Sequence, residues 1–587
     1  MTSEQVHADY GAPRRFDYDV IIVGAGFAGL YALHRMRELG LSARVLERGD
    51  GVGGVWFWNR YPGARCDIES IDYSYSFSPE LEQEWQWTER YASQPEILRY
   101  LNHVADRFDL RRDIQLRETV TGARYDEASK QWAVETAAAG SYRCQFLICG
   151  SGVLSSRLNP DDLFHGLDSF LGSWYQTAAW PVDGVDFSGK RVAVVGTGST
   201  GIQIIPQIAK QAAHLYVCQR TASYSVPARN APLASEALQA VRARYREYRR
   251  AARLSAFGVP SDPPTGSAIA TPADERRHEY EKRWQIGGGP TMLAAFADLL
   301  VNEESNETAA DFVRTKIHEI VADPQVADML CPTSYPIGTK RICVDIGYYE
   351  TFNRENVTLV SVLDNPIVKV TAAGLLLAEG QELELDAIVF AIGFDAITGA
   401  LLDINPNGRQ GVALRKKWSN GPASYLGLMV AGFPNMFTVT GPGSPSVLSN
   451  MVVSIEQHVD WITAAIAGLL RNGQQEMEPT PEAEEAWGRH VAELSASTLF
   501  SRANSWYVGA NVPGKPRVFI PYVGGVGPYW KTIQQIADDG YEGFTIDGAA
   551  KPYRRSHPGF LAQGSADDMD DAQVLAVLAD GALPDLH

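Results

Sequence analysis

Two copies of one glycine fingerprint limit what this chain can fold into. Gly24-Ala-Gly26-Phe-Ala-Gly29 follows the apolar run Tyr18-Asp-Val-Ile-Ile-Val23, and Gly196-Thr-Gly198-Ser-Thr-Gly201 follows Arg191-Val-Ala-Val-Val195. Each reads as a strand, a tight turn and a helix. The glycines let backbone approach a pyrophosphate, and the helix N-terminus favours its negative charge. One such pattern alone is weak. Two in this context predict an α/β chain with two Rossmann-like dinucleotide-binding folds.

The residues after each fingerprint separate the two ligands. A second strand should end some 20 residues on, with an acid for a ribose hydroxyl. Ala43-Arg-Val-Leu-Glu47 supplies that acid in the first copy, whereas Leu215-Tyr-Val-Cys-Gln-Arg220 places an arginine in the second. A carboxylate repels a 2′-phosphate, and a guanidinium forks onto it. Glu47 therefore suits FAD or NAD, and Arg220 suits NADP. An arginine after an ordinary edge strand is the plainer reading, but the offset from a second fingerprint favours the ligand.

The 587 residues are too many for one core. A net charge of −18 argues against nucleic acid and anionic membrane as partners. Six cysteines without a C-x-x-C pair read as reduced thiols. The start of the chain carries no basic segment followed by an apolar one, and no apolar run reaches spanning length. The expectation is a cytoplasmic protein, with Trp461–Leu470 inside a core helix.

Along the chain, residues 1–15 read as a disordered lead-in. Residues 16–155 form the first part of the first nucleotide domain. Its strand Phe146-Leu-Ile-Cys149 closes on Gly150 and Gly152. Residues 156–385 form the second nucleotide domain, with a helical insertion over about 230–335. The basic run Arg242–Arg250 reads as a solvated helix face, and Gly258–Gly266 as a loop. The apolar strand Asp386–Gly393 is expected to return the chain to the first domain, completed by 386–546. Residues 547–587 read as a tail, in which Asp570–Ala579 could form a short helix but reads better as a frayed terminus.

Between the fingerprints lies Gly53-Gly54-Val55-Trp56-Phe-Trp-Asn-Arg-Tyr61-Pro62-Gly63-Ala-Arg65-Cys66-Asp67. Its glycines allow close backbone approach, its aromatics offer planar walls, and Arg65 and Asp67 add fixed charge. An aromatic structural cluster would look similar. Its place soon after Glu47 favours a flavin wall. Phe170-Leu-Gly172-Ser-Trp-Tyr-Gln176-Thr-Ala-Ala-Trp180-Pro181 then leads into the second fold.

Together these segments resemble the type I Baeyer–Villiger monooxygenases. That family's signature is F-x-G-x-x-x-H-x-x-x-W-P, matched here at Phe170, Gly172, Trp180 and Pro181. The Gly54-x-Trp56…Tyr61-Pro62-Gly63-x-x-x-Asp67 pattern matches too. So do longer runs at Val226–Leu233, Gly338–Arg341, Gly441–Met451 and Ser505–Arg517. The resemblance covers about residues 16–546.

It implies FAD and NADPH as cofactors, and a ketone and O₂ as substrates. NADPH would reduce FAD, reduced flavin would take O₂ to a C4a-peroxide, and that peroxide would attack the ketone. A Criegee-type adduct would then yield an ester or lactone. Such a peroxide must stay anionic, which a fixed cation beside it secures. Arg341 matches the family's catalytic arginine, a residue that cannot lend its own proton. Asp67 matches the carboxylate that positions it.

The same resemblance assigns Gly24, Gly26, Gly29, Glu47, Gly54, Val55, Trp56, Tyr73, Val120 and Met451 to cofactor binding, with Arg65, Cys66 and Asp67 beside them. It adds Gly196, Thr197, Gly198, Ser199, Thr200, Gly201 and Gln203, and Arg220, Thr221 and Lys340 at the 2′-phosphate. Trp506 resembles a mobile-loop tryptophan that closes over NADP, although a core tryptophan is the plainer reading. Ser446, Val447 and Leu448 resemble a loop bordering the ketone pocket.

Gln176 departs from the signature, standing where the family has histidine. Glutamine keeps a donor and an acceptor but cannot become cationic. Ile392 is a lesser departure, where the usual strand-end motif has threonine. Alternative functions meet specific obstacles. No G-x-S-x-G is present for a hydrolase, and His318-Glu319 lacks its second zinc histidine because position 322 is alanine. A monooxygenase of amines or sulfides needs no Arg341–Asp67 pair. An uncoupled NADPH oxidase and a nucleotide-binding regulator without turnover are the other readings.

Overall fold

The computed structural model describes residues 16–138, 140–260, 264 and 266–553, without the side chains of 235–237. The lead-in and the segment Asp570–Ala579 lie outside the described residues. Val20–Val23 are four consecutive buried residues, the pattern of a parallel strand covered on both faces. That strand is central to the first sheet. Its order is Ile114–Gln115, Ala43–Leu46, Tyr18–Val23, Gly140–Cys149, Gln131–Thr136 and Val120–Asp126. Met436–Thr438 adds a parallel strand beside Gly140–Cys149.

The second sheet is wholly parallel, in the order Val357–Ser361, His214–Gln219, Arg191–Val195, Ala387–Phe390 and Ser173–Gln176. Two expectations change here. Ala387–Phe390 does not return the chain to the first sheet. It pairs with Arg191–Val195 and is buried throughout, so the return comes after Gly393. Ser173–Gln176, read as a lead-in to the second fold, is an edge strand of it, with Gln176 opposite Phe390.

The stretch expected to be helical holds Tyr245–Leu254, Ala273–Ile286 and Glu303–Ile320 among other helices. Tyr280, Trp284 and Phe312 pack into the core of the second sheet. Tyr245–Leu254 packs elsewhere, and this corrects the solvated reading of Arg242–Arg250. Arg249 is only 6% exposed. Its Nε donates to Glu82 Oε1 at 2.7 Å and its Nη2 to Ser74 Oγ at 2.7 Å. A buried cation needs such a partner. The periodicity of a basic helix does not reveal which arginine faces inward.

Asp72 lies at the same seam. Burial, with Glu69 adding to it, pushes this carboxyl up to about 7. A folded value above the unfolded one means that the stabilisation is complete below the unfolded value and is lost as pH rises through the folded one. Asp72→Asn is therefore expected to raise the melting temperature more near about pH 8 than near about pH 5. Equal gains at both would contradict this account.

Trp461–Leu470 lies in the helix Met451–Arg471, largely buried as expected of a core helix. The tail begins later than expected. Phe544–Ile546 and Ala549–Ala550 form a hairpin, and Asp547 accepts from the Gln475 and Glu476 backbone N–H groups. All six cysteines are unpaired. Among the described residues no helix is long and apolar enough to cross a membrane, and no cluster of metal-ligating side chains occurs.

Candidate active site

A cleft of about 1100 Å³ runs between the carboxyl ends of the two sheets. Both fingerprints open onto it. The helices Phe27–Glu38 and Ser199–Ala209 start there with glycine N-caps, no side-chain cap and no acid in the first turn. Their first N–H groups are therefore left for a ligand, and the helix ends favour an anion. A Cβ at Gly198 would meet nothing within 4 Å, so backbone there faces open space. Gly29 and Gly201 do a different job. A Cβ on either would lie 1.8 Å or 2.1 Å from the first glycine's carbonyl oxygen, so they permit helix and strand to pack. These features fit two bound pyrophosphates.

On the first side, Glu47 is buried and lines the cleft. Its Oε2 accepts from Ala25 N at 2.8 Å and its Oε1 from Gly49 N at 2.7 Å. These bonds fix the carboxylate and leave lone pairs for ribose hydroxyls. Gly54 touches Gly26 directly, since a Cβ there would come within 2.9 Å of Gly26 Cα. Gly24, Gly26, Val55, Trp56, Cys66, Tyr73, Val120 and Met451 also line the cleft. Trp56 Nε1 donates to Tyr73 Oη at 3.2 Å. The Arg65 charge is paired with Glu89 at 3.1 Å.

On the second side, Gly196, Thr197, Ser199 and Thr200 line the cleft with Arg220, Thr221 and Lys340. Thr197 Oγ1 donates to the Thr221 carbonyl at 3.1 Å. Burial first, and then Arg220, pull Lys340 below its ordinary value. Two cations that disfavour each other, with no carboxylate within salt-bridge distance of either among the described residues, make an anion site. The Lys340 ammonium lies 4.3 Å above the Tyr335 ring, which fixes its side chain.

Arg341 stands where the two sides meet. Its Nε and Nη2 both donate to Asp67, the latter at 2.8 Å, and its Nη1 donates to the Val447 carbonyl at 2.6 Å. Burial opposes its charge. The Asp67 carboxylate outweighs burial and holds the guanidinium further above its usual range. In return Arg341 overcomes the burial of Asp67 and holds that carboxyl below its usual value. Both stay ionised at any working pH. The three bonds leave guanidinium N–H groups over for a ligand and for the Tyr507 phenol beside it.

Gln203, expected at the cofactor, also joins the two folds. Its Oε1 accepts from Tyr61 Oη at 2.8 Å, and its Nε2 donates to the Arg65 carbonyl at 3.1 Å. Val447 lines the cleft, whereas Ser446 is fully buried and Leu448 packs into an apolar cluster with Tyr507 and Ile520. Trp506 lines the cleft beside the Tyr507 ring, 4.5 Å between centroids. Gln176 lies behind the wall. It is buried, and its Nε2 donates to the Leu158 carbonyl at 2.5 Å.

Sequence reasoning does not single out four residues of the site. Tyr507 neighbours Arg341, and Cys343 Sγ lies 3.4 Å from Ser199 Oγ. Ser505 Oγ and Asn511 Oδ1 are buried without partners on cleft-lining residues. The run Ser505–Arg517 points to three of these, but no spacing rule identifies which side chain turns inward.

Over residues 17–231 the chain matches the family described as FMO-like, flavin-binding monooxygenase-like. It is 42% identical to the acetone monooxygenase (methyl acetate-forming) of Gordonia sp. (strain TY-5), across 90% of this chain and 99% of that one. It is 41% identical to phenazine N-monooxygenase PhzNO1 of Lysobacter antibioticus, across 90% and 97%. A solved structure of an oxidized steroid monooxygenase bound to NADP is 51% identical with a TM-score of 0.86, across 90% and 99%. Two dinucleotide folds meeting at an arginine thus define a flavin-dependent monooxygenase. The chain belongs to the Baeyer–Villiger monooxygenase family, whose cofactors are FAD and NADP.

Proposed function

We propose that this enzyme converts a ketone to an ester or lactone, using NADPH and O₂, with Arg341 as the catalytic charge. One observation carries the reading: a permanently charged guanidinium, fixed by Asp67 and the Val447 carbonyl, lies in the cleft between both nucleotide folds. Gly24, Gly26, Glu47, Gly54, Val55, Trp56, Tyr73, Val120 and Met451 would hold FAD. Gly196, Thr197, Gly198, Ser199, Thr200, Arg220, Thr221, Lys340 and Trp506 would hold NADP. When bound, these cofactors supply electrons and an activated oxygen from O₂. Arg341 donates N–H groups toward the reacting oxygens, keeps a proton from settling there, and stabilises negative charge that develops on the carbonyl oxygen. Val447 lies beside the guanidinium and bounds the space for the ketone.

A second reading rests on the phenazine N-monooxygenase, which is nearly as similar, 41% identical against 42%, as the acetone monooxygenase. Oxygen transfer to nitrogen needs no fixed cation to keep an oxidant anionic. Aerobic turnover with a panel of ketones and N-heteroaromatics, with products identified by mass spectrometry, separates the two. Ester or lactone from ketones supports the proposal. Products oxidised only at nitrogen or sulfur replace it.

Gln176 leads to a narrower prediction. Its amide ties the edge strand to Leu158, which itself lines the cleft. A histidine there could carry charge, and glutamine cannot. Gln176→His is expected to change the ratio of ester formed to NADPH consumed. Identical ratios and rates in both proteins would sink the idea.

A further inference from the structure

Thr440 sits at the cleft wall in a backbone conformation that a threonine rarely adopts. Its φ is +55°, it is buried, and it lines the cleft beside Val439. It follows Met436–Thr438 at the carboxyl end of the first sheet, where ligands of such sheets bind. Val439 packs in the same apolar cluster as Phe27, Cys66 and Tyr73. This places the strained residue on the first-nucleotide side. β-Branched residues resist the left-handed region, so surrounding contacts must impose it.

The imposing contacts form one buried chain. Thr440 N–H donates to His458 Nδ1 at 2.9 Å. A backbone amide can only donate, so Nδ1 carries the lone pair and Nε2 the proton. Nε2–H then donates to Tyr529 Oη at 2.8 Å, and the phenol donates to the Leu426 carbonyl at 2.6 Å. Leu426 is also left-handed, with φ +62°. His458, Tyr529 and Leu426 are each 0% exposed. Burial holds His458 down to about 3, which keeps the ring neutral as the chain requires. Strained backbone thus lies at both ends of a fixed relay, and one end faces the cleft.

We propose that His458 and Tyr529 are positioning residues that hold the Thr440 backbone in its left-handed form, as a preset wall for the bound flavin. This rests on the flavin lying on the Glu47 side of the cleft. The roles of the two ring nitrogens are separable. Asparagine at 458 keeps an acceptor near the Nδ1 position, whereas glutamine reaches toward Tyr529 and abandons Thr440. Glycine at 440 adopts the same φ without steric strain and so depends less on the clamp.

The test tracks FAD release from purified holoenzyme by flavin fluorescence, together with the visible flavin spectrum. His458→Gln is expected to release FAD about tenfold faster and to shift the spectrum. His458→Asn, which keeps an acceptor for Thr440 but gives up the bond to Tyr529, should speed release less than His458→Gln does. Thr440→Gly added to His458→Gln should bring release back to within about threefold of wild type. Tyr529→Phe, which removes the phenol that accepts from His458 and donates to the Leu426 carbonyl, is the variant to use if His458→Gln does not fold, and it should also speed release. Wild-type release and spectrum in His458→Gln or, where that does not fold, in Tyr529→Phe, or failure of Thr440→Gly to rescue, would overturn the proposal. A wild-type protein that purifies without flavin would overturn the cofactor placement beneath it.

Discussion

Replacing Arg341 by alanine is expected to lower ester formation by at least about a thousandfold while NADPH still reduces the bound flavin. The reason is geometric. Arg341 brings a fixed positive charge and spare N–H groups into the cleft, and the described residues around it offer no second cation so placed. Removing one preorganised donor alone costs about a hundredfold to a thousandfold, and here a full charge goes with it. Arg341→Lys keeps a charge but loses the fork that holds Asp67 and the Val447 carbonyl together, so it should recover only a small part of the rate. Asp67→Asn keeps an acceptor and should fall between. The measurement pairs single-turnover flavin reduction with ester yield by gas chromatography. Equal loss of both would mean that Arg341 serves NADPH rather than oxygenation.

The second large effect concerns nucleotide choice. Arg220→Ala with Lys340→Ala is expected to raise the KM for NADPH by about a hundredfold and to leave NADH nearly unchanged. The two cations lie close enough for Arg220 to depress Lys340, a repulsion that a phosphate between them would relieve. Lys340 adjoins Arg341, so the double variant must be checked for intact ester chemistry at saturating NADPH. Parallel loss for both nucleotides would place the 2′-phosphate elsewhere.

Much of this was legible in the residues. Glycine turns and the acid-or-arginine choice at Glu47 and Arg220 are local features, each written within about 30 residues of its own fingerprint. Arg341 and Asp67 became visible only through the family resemblance, because their 2.8 Å bond joins residues on different folds. Strand order was less legible. Ala387–Phe390 and Met436–Thr438 are both short apolar strands ending near glycine, yet one joins the second sheet and the other the first. Periodicity reports that a strand is buried, not which neighbour buries it. The inward turn of Arg249 and the left-handed Thr440 were invisible for the same reason, since each is dictated by residues distant in sequence.

The pairing of Arg341 with Asp67 works as a conjunction. The aspartate lies in the segment after the first fingerprint, the arginine comes after the second, and the Val447 carbonyl belongs to a third stretch of chain. The oriented cation exists only while all three are in register, a register that Gln203 stitches through Tyr61 and Arg65. A few ångströms of slippage between the halves would disarm the guanidinium without unfolding either one. The contacts that join the two halves are thus the same ones that keep the reactive charge aimed.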